Sequence, residues 1–358
     1  MKTFWKLSII LAAGAALHAK EPAKPAPIAP EPTPAPSLRE EINALDPAQI
    51  QKAVETLQSN FLSPAAFDEI SKQRALLEGL IARLAPGASI TAQTEPRPPV
   101  EPYPFIAEIL DGRAGYLRPG LLDAETLSQM DVALSTFAAK KVSAVILDLR
   151  AIPRGSGFDE AANFAKRFCP KGKLLFSIRK PGAKGERMLM SDKDPVFQGI
   201  LVVLTDFDTS GAAEALAATL RANAGAMIVG SDTSGEAVEF SEFPLGNGRS
   251  LRVAVSEVVL PGNRTIFPGG VKPDIAISLA PNIQAEIFRA SGEKGVSQFV
   301  FDSGRARMSE AALVANTNPE IEGTQDAQKE KARQGLHDRV LQRAVDLVTA
   351  ISFYKKQN

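Results

Sequence analysis

Three short apolar runs that alternate with helical patterns constrain the fold of this chain most strongly. The runs cover residues 142–149, 200–204 and 226–230. An uninterrupted apolar run is typical of a strand buried on both faces of a sheet. Helical patterns over residues 124–139, 158–168 and 212–222 stand between and before the runs. This alternation predicts an α/β architecture.

The segments around this core predict an antiparallel flank. Two short strands, IAEIL and GYLRP, surround a turn at Asp111–Gly112. A hairpin is predicted for LLFSIR and RMLMS about the turn at residues 182–185. Two further strand patterns, EAVEFSEFPL and SLRVAVSEVVL, follow residue 235. The core therefore combines strand–helix–strand units with antiparallel strands.

The first 37 residues have the composition of a leader and a spacer. Lys2 and Lys6 precede an apolar stretch over residues 7–17, and Ala19 is suited to cleavage, so residues 1–19 are predicted to be a secretory signal. The stretch is too short for a membrane span. Residues 20–37 are proline-rich, which is typical of an extended linker. We expect a secreted or periplasmic protein with cleavage after Ala19.

Helical segments are predicted on both sides of the core. Residues 38–95 are expected to contain two helices, with Pro47 opening the second part of the first, and Ser63 capping the second. Residues 279–358 are expected to be helical again, ending in a long amphipathic helix over 331–354. That last helix either docks on its own domain or pairs with another subunit in a homo-oligomer.

Composition excludes several classes of function. The chain has 41 basic and 41 acidic residues, and removal of the signal with its two lysines leaves a charge near −2, which argues against a nucleic-acid partner. Cys169 is the only cysteine, and the histidines are His18 and His337. A zinc site or a cysteine–histidine dyad therefore has almost no ligands available. We expect no metal and no cofactor.

Four phrases in a fixed order carry a resemblance to a known family. They are AVILDLRAIPRGSG, LVVLTDFDTSGAAEALAATLR, AMIVGSDTSGEAVEF and LRVAVSEVVLPGNRTIFPGGVKPDI. This series resembles the carboxyl-terminal processing (tail-specific) serine peptidases over residues 105–278. The resemblance implies their fold: an α/β, twisted mixed sheet with flanking helices, a tail-specific protease core of the crotonase/Clp-protease-like kind.

The same resemblance places the catalytic positions of the family on residues that cannot perform its chemistry. Active members place the nucleophilic serine three residues before a glutamate that matches Glu214, which is Gly211 here. The family lysine follows a threonine–any–glycine step and falls on Glu236, and Phe240 stands where a polar residue usually orients the lysine. Ser210 is one residue early, so we expect it to cap the helix, with Asp208 and Thr209 as competing caps. The roles of alternative nucleophile and of peptide contact stay open for Ser210.

The backbone groups that would bind the oxyanion are also altered. Family members follow aspartate–leucine–arginine with a glycine-rich turn, but Arg154 takes one glycine position. Gly155 and the N–H of Ala212 remain as oxyanion or peptide-binding donors. Arg154 is either a solvated loop residue, a partner for Glu236, or a holder of a peptide carboxylate.

These departures leave three hypotheses. The first is an exported, catalytically inactive relative that binds exported proteins or peptides on a strand edge. It would also lack the family's PDZ domain, because about 20 residues lie between Leu84 and Phe105. The second is an active serine endopeptidase that processes exported proteins with Ser210. The third is a structural partner that assembles through its terminal helices.

Overall fold

The computed structural model describes residues 37–92, 101–300 and 336–357. The predicted signal, and the linker up to residue 36, lie outside these ranges. The chain divides into two compact units, residues 1–73 and 74–358. Within the described ranges, the helices are all too short or too polar to cross a membrane.

The first unit begins with two capped helices. Helix α1 (Leu38–Ala44) is capped by Ser37, and helix α2 (Pro47–Asn60) is capped by Asp46. Both N-caps form a capping box with the residue three positions later, which satisfies backbone N–H groups at the helix start. Pro47 opens α2, as the sequence predicts, because its missing N–H costs nothing in the first turn.

The third helix starts later than predicted. Residues Pro64–Phe67 form a 3₁₀ turn, and helix α3 spans Glu69–Leu84. The carboxylate of Asp68 accepts hydrogen bonds from the backbone N–H and the hydroxyl of Ser71. Asp68 rather than Ser63 therefore caps this helix, and the segment contains three α-helices instead of two.

The second unit is built around a mixed sheet of six strands in the order β12-β8-β7-β4-β3-β2. The predicted parallel strands β4 and β7 are confirmed, and both are fully buried. Strand β2 joins β3 antiparallel, while the other neighbours run parallel. The strands are β2 (Ile106–Leu110), β3 (Ala114–Arg118), β4 (Ala144–Asp148), β7 (Ile200–Thr205), β8 (Met227–Gly230) and β12 (Ile275–Ala276).

Helices cover both faces of this sheet. Alternate residues of β4 enter different cores: Val145 and Leu147 join one apolar cluster, and Ala144 and Ile146 join another. The first cluster contains side chains of helices α4 (Ala124–Ala139), α5 (Phe158–Ala165) and α6 (Ala212–Ala224). The second contains Val340, Leu341 and other residues of the C-terminal helix α8 (Arg339–Gln357). Helix α7 (Pro281–Lys294) packs in a smaller third cluster.

A second, antiparallel sheet carries the strands that the sequence placed in the flank. Strand β10 (Arg249–Leu260) is central and pairs with β1 (Ala88–Ala92), β5 (Leu174–Arg179), β9 (Val238–Gly246) and β11 (Arg264–Thr265). The predicted hairpin of β5 with β6 (Arg187–Met190) is confirmed. Strand β1 corrects the sequence prediction, which places residues 88–92 in the amino-terminal helical segment, because these residues extend this sheet.

A buried charged network fastens helix α8 to the first sheet. Nη2 of Arg150 lies 2.7 Å from Oδ2 of Asp148 and 2.7 Å from Oδ2 of Asp338. Asp338 also accepts the backbone N–H of Leu341 at 3.0 Å, so it caps α8. The helix predicted from residue 331 thus begins at Arg339, and residues 331–335 lie outside the described ranges. Its buried residues Val340, Leu341, Ala344, Val345 and Val348 pack in the core of its own unit.

Charge and hydrogen bonds favour the ionised forms of Asp148 and Arg150, as the directions of their pKa shifts indicate. Burial opposes the ionisation of Asp148, but the Arg150 guanidinium keeps the pKa of Asp148 below its usual value. Burial also opposes the charge of Arg150, yet Asp148 and Asp338 raise the pKa of Arg150 well above its usual value. Burial and the Asp148 charge raise the pKa of Tyr116, whose hydroxyl donates to Asp148 at 2.8 Å.

Candidate active site

A fully buried carboxylate organises the start of helix α6. Glu214 accepts the backbone N–H of Gly211 at 2.9 Å, within its own helix. It also accepts the backbone N–H groups of Gly235 and Glu236, each at 2.7 Å, from the loop after strand β8. The hydroxyls of Thr233 and Ser234 donate to the same carboxylate. Glu214 therefore fixes the helix start and the loop against each other.

The backbone at Gly211 has a conformation that favours glycine. Its φ is +56° and its ψ is −114°, a region that side chains with a Cβ rarely adopt. A Cβ built at this position would meet only the carbonyl oxygen of Glu236, at 3.7 Å. The space around this position is open, but the backbone conformation would strain any residue with a Cβ, and glycine provides no hydroxyl.

The N-cap of helix α6 is Gly211, so the predicted capping role of Ser210 is wrong. The Gly211 N–H is satisfied by Glu214, which makes a hydroxyl cap at residue 210 unnecessary. Upstream, Thr209 bonds through its hydroxyl and its N–H to Asp206. Burial raises the pKa of Asp206. Ser210 is itself buried, with 7% of its surface exposed.

The threonine–serine–glycine step before Glu236 is fixed by packing. Thr233 donates to Glu214 and accepts the N–H of Val271 at 2.7 Å. Gly235 has a φ of +74°, and a Cβ there would lie 2.1 Å from the carbonyl oxygen of Pro268. Since backbone cannot yield at that distance, only glycine fits. The Thr233–Ser234–Gly235 segment therefore positions Glu236 beside the start of helix α6.

Glu236 is paired with two arginines. Its Oε2 lies 2.6 Å from Nη1 of Arg154 and 3.9 Å from Nη1 of Arg252. The guanidinium of Arg252 stacks on the ring of Phe240, 3.3 Å from its centroid. Arg154 is therefore a partner of Glu236, which is one of the three roles that the sequence allows. Half of its side chain is exposed.

The structure brings all the predicted site residues to one cavity of about 450 Å³. They come from three separate places in the chain: the turn after β4, the start of α6, and the start of β9. The wall also carries Arg187, whose guanidinium bonds to Asp159 and Glu239. The predicted residues in the wall are Arg154, Gly155, Ser210, Gly211, Ala212, Glu236 and Phe240.

Sequence reasoning missed the roles of Glu214 and Arg252. Glu214 was used only to align the nucleophile position, although an acid three residues after an N-cap is a known signal for contact with the helix start. Arg252 had no such signal, because its place beside Glu236 depends on the pairing of β9 with β10. His337 lies beside Asp338 at the start of α8 and does not line the cavity.

Positions 211 and 236, where the resemblance expects the nucleophile and its base, hold other groups. A serine hydroxyl needs a neighbouring base that removes its proton, and positions 211 and 236 hold a glycine and an ion-paired carboxylate. Gly155, with a φ of +97°, and Ala212 border the cavity, where backbone N–H groups can meet a peptide carbonyl. Over the described ranges, no group of three or more histidine, cysteine, aspartate or glutamate side chains could hold a metal ion.

Comparison with known proteins relates this chain to a family of proteases. Residues 113–277 match the model of peptidase family S41. These 165 of the 358 residues therefore form a peptidase family S41 domain, similar to that of the carboxyl-terminal processing peptidases. The chain is 27% identical over 160 residues to a chloroplastic carboxyl-terminal-processing peptidase of Arabidopsis thaliana. The aligned residues cover 45% of this chain and 32% of that protein.

Bacterial relatives give the same result. A carboxyl-terminal-processing protease of Synechocystis is 27% identical over 175 residues, covering 48% of this chain and 40% of that protein. A carboxy-terminal processing protease of Bacillus subtilis is 24% identical over 197 residues, covering 53% and 42%. The chain thus spans between 32% and 42% of the length of these three curated relatives.

A solved structure supports the fold alone. A protein from Parabacteroides merdae, named as a candidate peptidase, superposes with a TM-score of 0.50 at 14% identity. The superposition covers 68% of this chain and 85% of that one. The predicted fold class, a twisted mixed sheet with flanking helices, is confirmed.

Proposed function

We propose that this protein is an exported pseudoprotease that binds extended peptides beside the former catalytic centre. The observation that carries the proposal is the ion pair at Glu236. The position of the family lysine holds a carboxylate 2.6 Å from Arg154, and the position of the nucleophile is a glycine. A site of this kind retains the shape of a protease groove without its reactive pair.

The binding surface in this proposal is the free edge of strand β9. This strand pairs with β10 along one edge, and none of the other described strands pairs with its opposite edge. Its first three residues, Val238, Glu239 and Phe240, line the cavity. An unpaired edge offers backbone N–H and carbonyl groups to an added strand, and this needs no nucleophile.

Export is part of the proposal and rests on the amino-terminal residues. A basic start, a short apolar stretch and a small residue at Ala19 are the features of a cleavable secretory signal. A proline-rich linker follows, which would separate the folded part from a membrane or wall. The proposed location is the periplasm or the extracellular space.

The alternative is an active serine endopeptidase that uses Ser210. Ser210 borders the same cavity as Glu236, which favours this alternative over any distant serine. A carboxylate with an ordinary pKa of about 4.3 is nevertheless a weak base for a serine hydroxyl at neutral pH. The Glu236 carboxylate is also already engaged by Arg154, 2.6 Å from its Oε2.

A binding assay with a peptide in which valine and alanine alternate tests the proposal. We expect the fluorescein-labelled peptide GSVAVA, with an amidated carboxyl end, to give saturable fluorescence anisotropy and an unchanged mass after overnight incubation. Two matched peptides carry N-methyl groups on alternate residues, one on the odd and one on the even positions. Since one register donates its N–H groups to the strand edge, one of the two should lose binding.

Two results would contradict the proposal. Cleavage of the peptide by wild-type protein would show that the site is active. Equal affinity of the parent and both methylated peptides would show that strand addition does not hold the ligand.

A further inference from the structure

Two arginines share one carboxylate at the wall of the cavity. Oε2 of Glu236 lies 2.6 Å from Arg154 and 3.9 Å from Arg252, and its side chain is 17% exposed. Guanidinium groups bind carboxylates through charge-assisted hydrogen bonds, often with two donors at once. The Glu236 carboxylate therefore occupies a position between two guanidinium groups that could also bind the carboxylate of a ligand.

The other charges of the cavity leave this arginine pair available to a ligand. Arg187 is held by Asp159 at 2.6 Å and by Glu239 at 3.1 Å, so those two carboxylates are engaged elsewhere in the wall. Around Glu236, two cations face one anion. If the Glu236 side chain turns away, both guanidiniums lose their nearest carboxylate.

The backbone at Glu236 is held by contacts that do not involve its own side chain. Its N–H is bound to Glu214, and Gly235 before it is fixed by the same carboxylate and by contact with Pro268. Arg252 is held independently by strand β10 and by its stacking on Phe240. A ligand that displaces the Glu236 side chain would therefore find Arg252 already in place, with the half-exposed Arg154 beside it.

We propose that Arg154 and Arg252 bind the terminal carboxylate of a bound peptide, and that Glu236 is an internal competitor which the peptide displaces. This inference rests on the proposed function, because it takes β9 as the edge that holds the peptide backbone. Strand β9 begins two residues after Glu236, so a peptide on this edge can end at the arginine pair. The ligand class is a peptide with a free carboxyl end.

The test compares GSVAVA with a free carboxylate and GSVAVA with an amide, both labelled at the amino end. Wild-type protein should bind both forms with similar affinity, because Glu236 competes with the carboxylate. In Glu236→Gln the competitor loses its charge, and we expect the carboxylate form to bind about tenfold more tightly than the amide. Adding Arg154→Ala to Glu236→Gln should abolish this preference, and high salt should reduce it.

Glu242→Gln is the matched control. Glu242 lies on β9 directly opposite Arg252 in the sheet register, but it is exposed and does not line the cavity. An equal gain in Glu242→Gln would mean that net charge alone explains the effect, and the inference would fail.

The remaining outcomes separate the two proposals. If Glu236→Gln binds both peptides equally, the carboxylate site is wrong while peptide binding stands. If neither peptide binds to wild type or to Glu236→Gln, both proposals are overturned. Circular dichroism of each variant establishes that the compared proteins are folded.

Discussion

Replacement of Arg150 by alanine is expected to lower the free energy of unfolding by about 3–5 kcal/mol. Arg150 bridges Asp148 on strand β4 and Asp338 at the start of helix α8, with side chains that are 0–2% exposed. Without the guanidinium, two buried carboxylates lose their main partner, and α8 keeps only its apolar packing against the sheet. Urea denaturation followed by circular dichroism measures the change.

The control is an exposed ion pair of the same chemistry. Arg113 lies 3.7 Å from Asp111, and both side chains are more than half exposed. Arg113→Ala should change the unfolding free energy by less than about 1 kcal/mol. Similar effects of the two substitutions would contradict the assignment of Arg150 as the clamp of α8.

The same network predicts how stability depends on pH. The pKa of Asp148 is lowered in the folded protein, so its contribution is present above the unfolded value of about 3.9 and is lost as the pH falls through the folded value. Wild-type stability should therefore decrease as the pH drops below about 4. Arg150→Ala should show a weaker decrease in that range, because its Asp148 no longer has the charge that lowers its pKa.

Replacement of Glu214 by alanine is the second large expected effect, about 3 kcal/mol of unfolding free energy. Three backbone N–H groups and two hydroxyls donate to this carboxylate. Glu214→Gln should be destabilising as well, because its NH₂ group would face donors. Both changes should also weaken peptide binding, since Glu214 holds the loop that carries Glu236.

Glu125 provides the comparison for Glu214. It lies in the first turn of helix α4, as Glu214 does in α6, but it is exposed. Its removal should cost only about 0.3–1 kcal/mol through the helix dipole. If Glu214→Ala were no more costly than Glu125→Ala in urea denaturation, the role of Glu214 as the organiser of the site would be wrong.

The core of the fold could be predicted from the sequence because its elements have strong local signals. Strands β4 and β7 are fully buried apolar runs, and the helix predicted over residues 124–139 is observed with those bounds. Strand β1 was missed because its five residues, Ala88–Ala92, are stabilised by pairing with β10, which lies about 160 positions later in the chain.

The sequence predicts which residues form the site, but not the contacts that hold them in place. The order of the four family phrases located Gly211, Glu236 and Arg154, and the structure places them around one cavity. The hydrogen bonds that position them depend on the buried carboxylate of Glu214, whose partners other than Gly211 lie 19–22 residues away in sequence. The predicted cap at Ser210 is wrong because the Glu214 side chain, three residues into the helix, accepts the N–H of Gly211.

Chemical labelling of the wild-type protein tests the central claim most directly. A serine-directed fluorophosphonate is incubated with the protein, the intact mass is measured, and Ser210→Ala serves as the matched control. We expect no added mass on wild type, since Gly211 has no hydroxyl and Glu236 is held by Arg154. Stoichiometric labelling that maps to Ser210 and disappears in Ser210→Ala would show an activated serine and contradict the account.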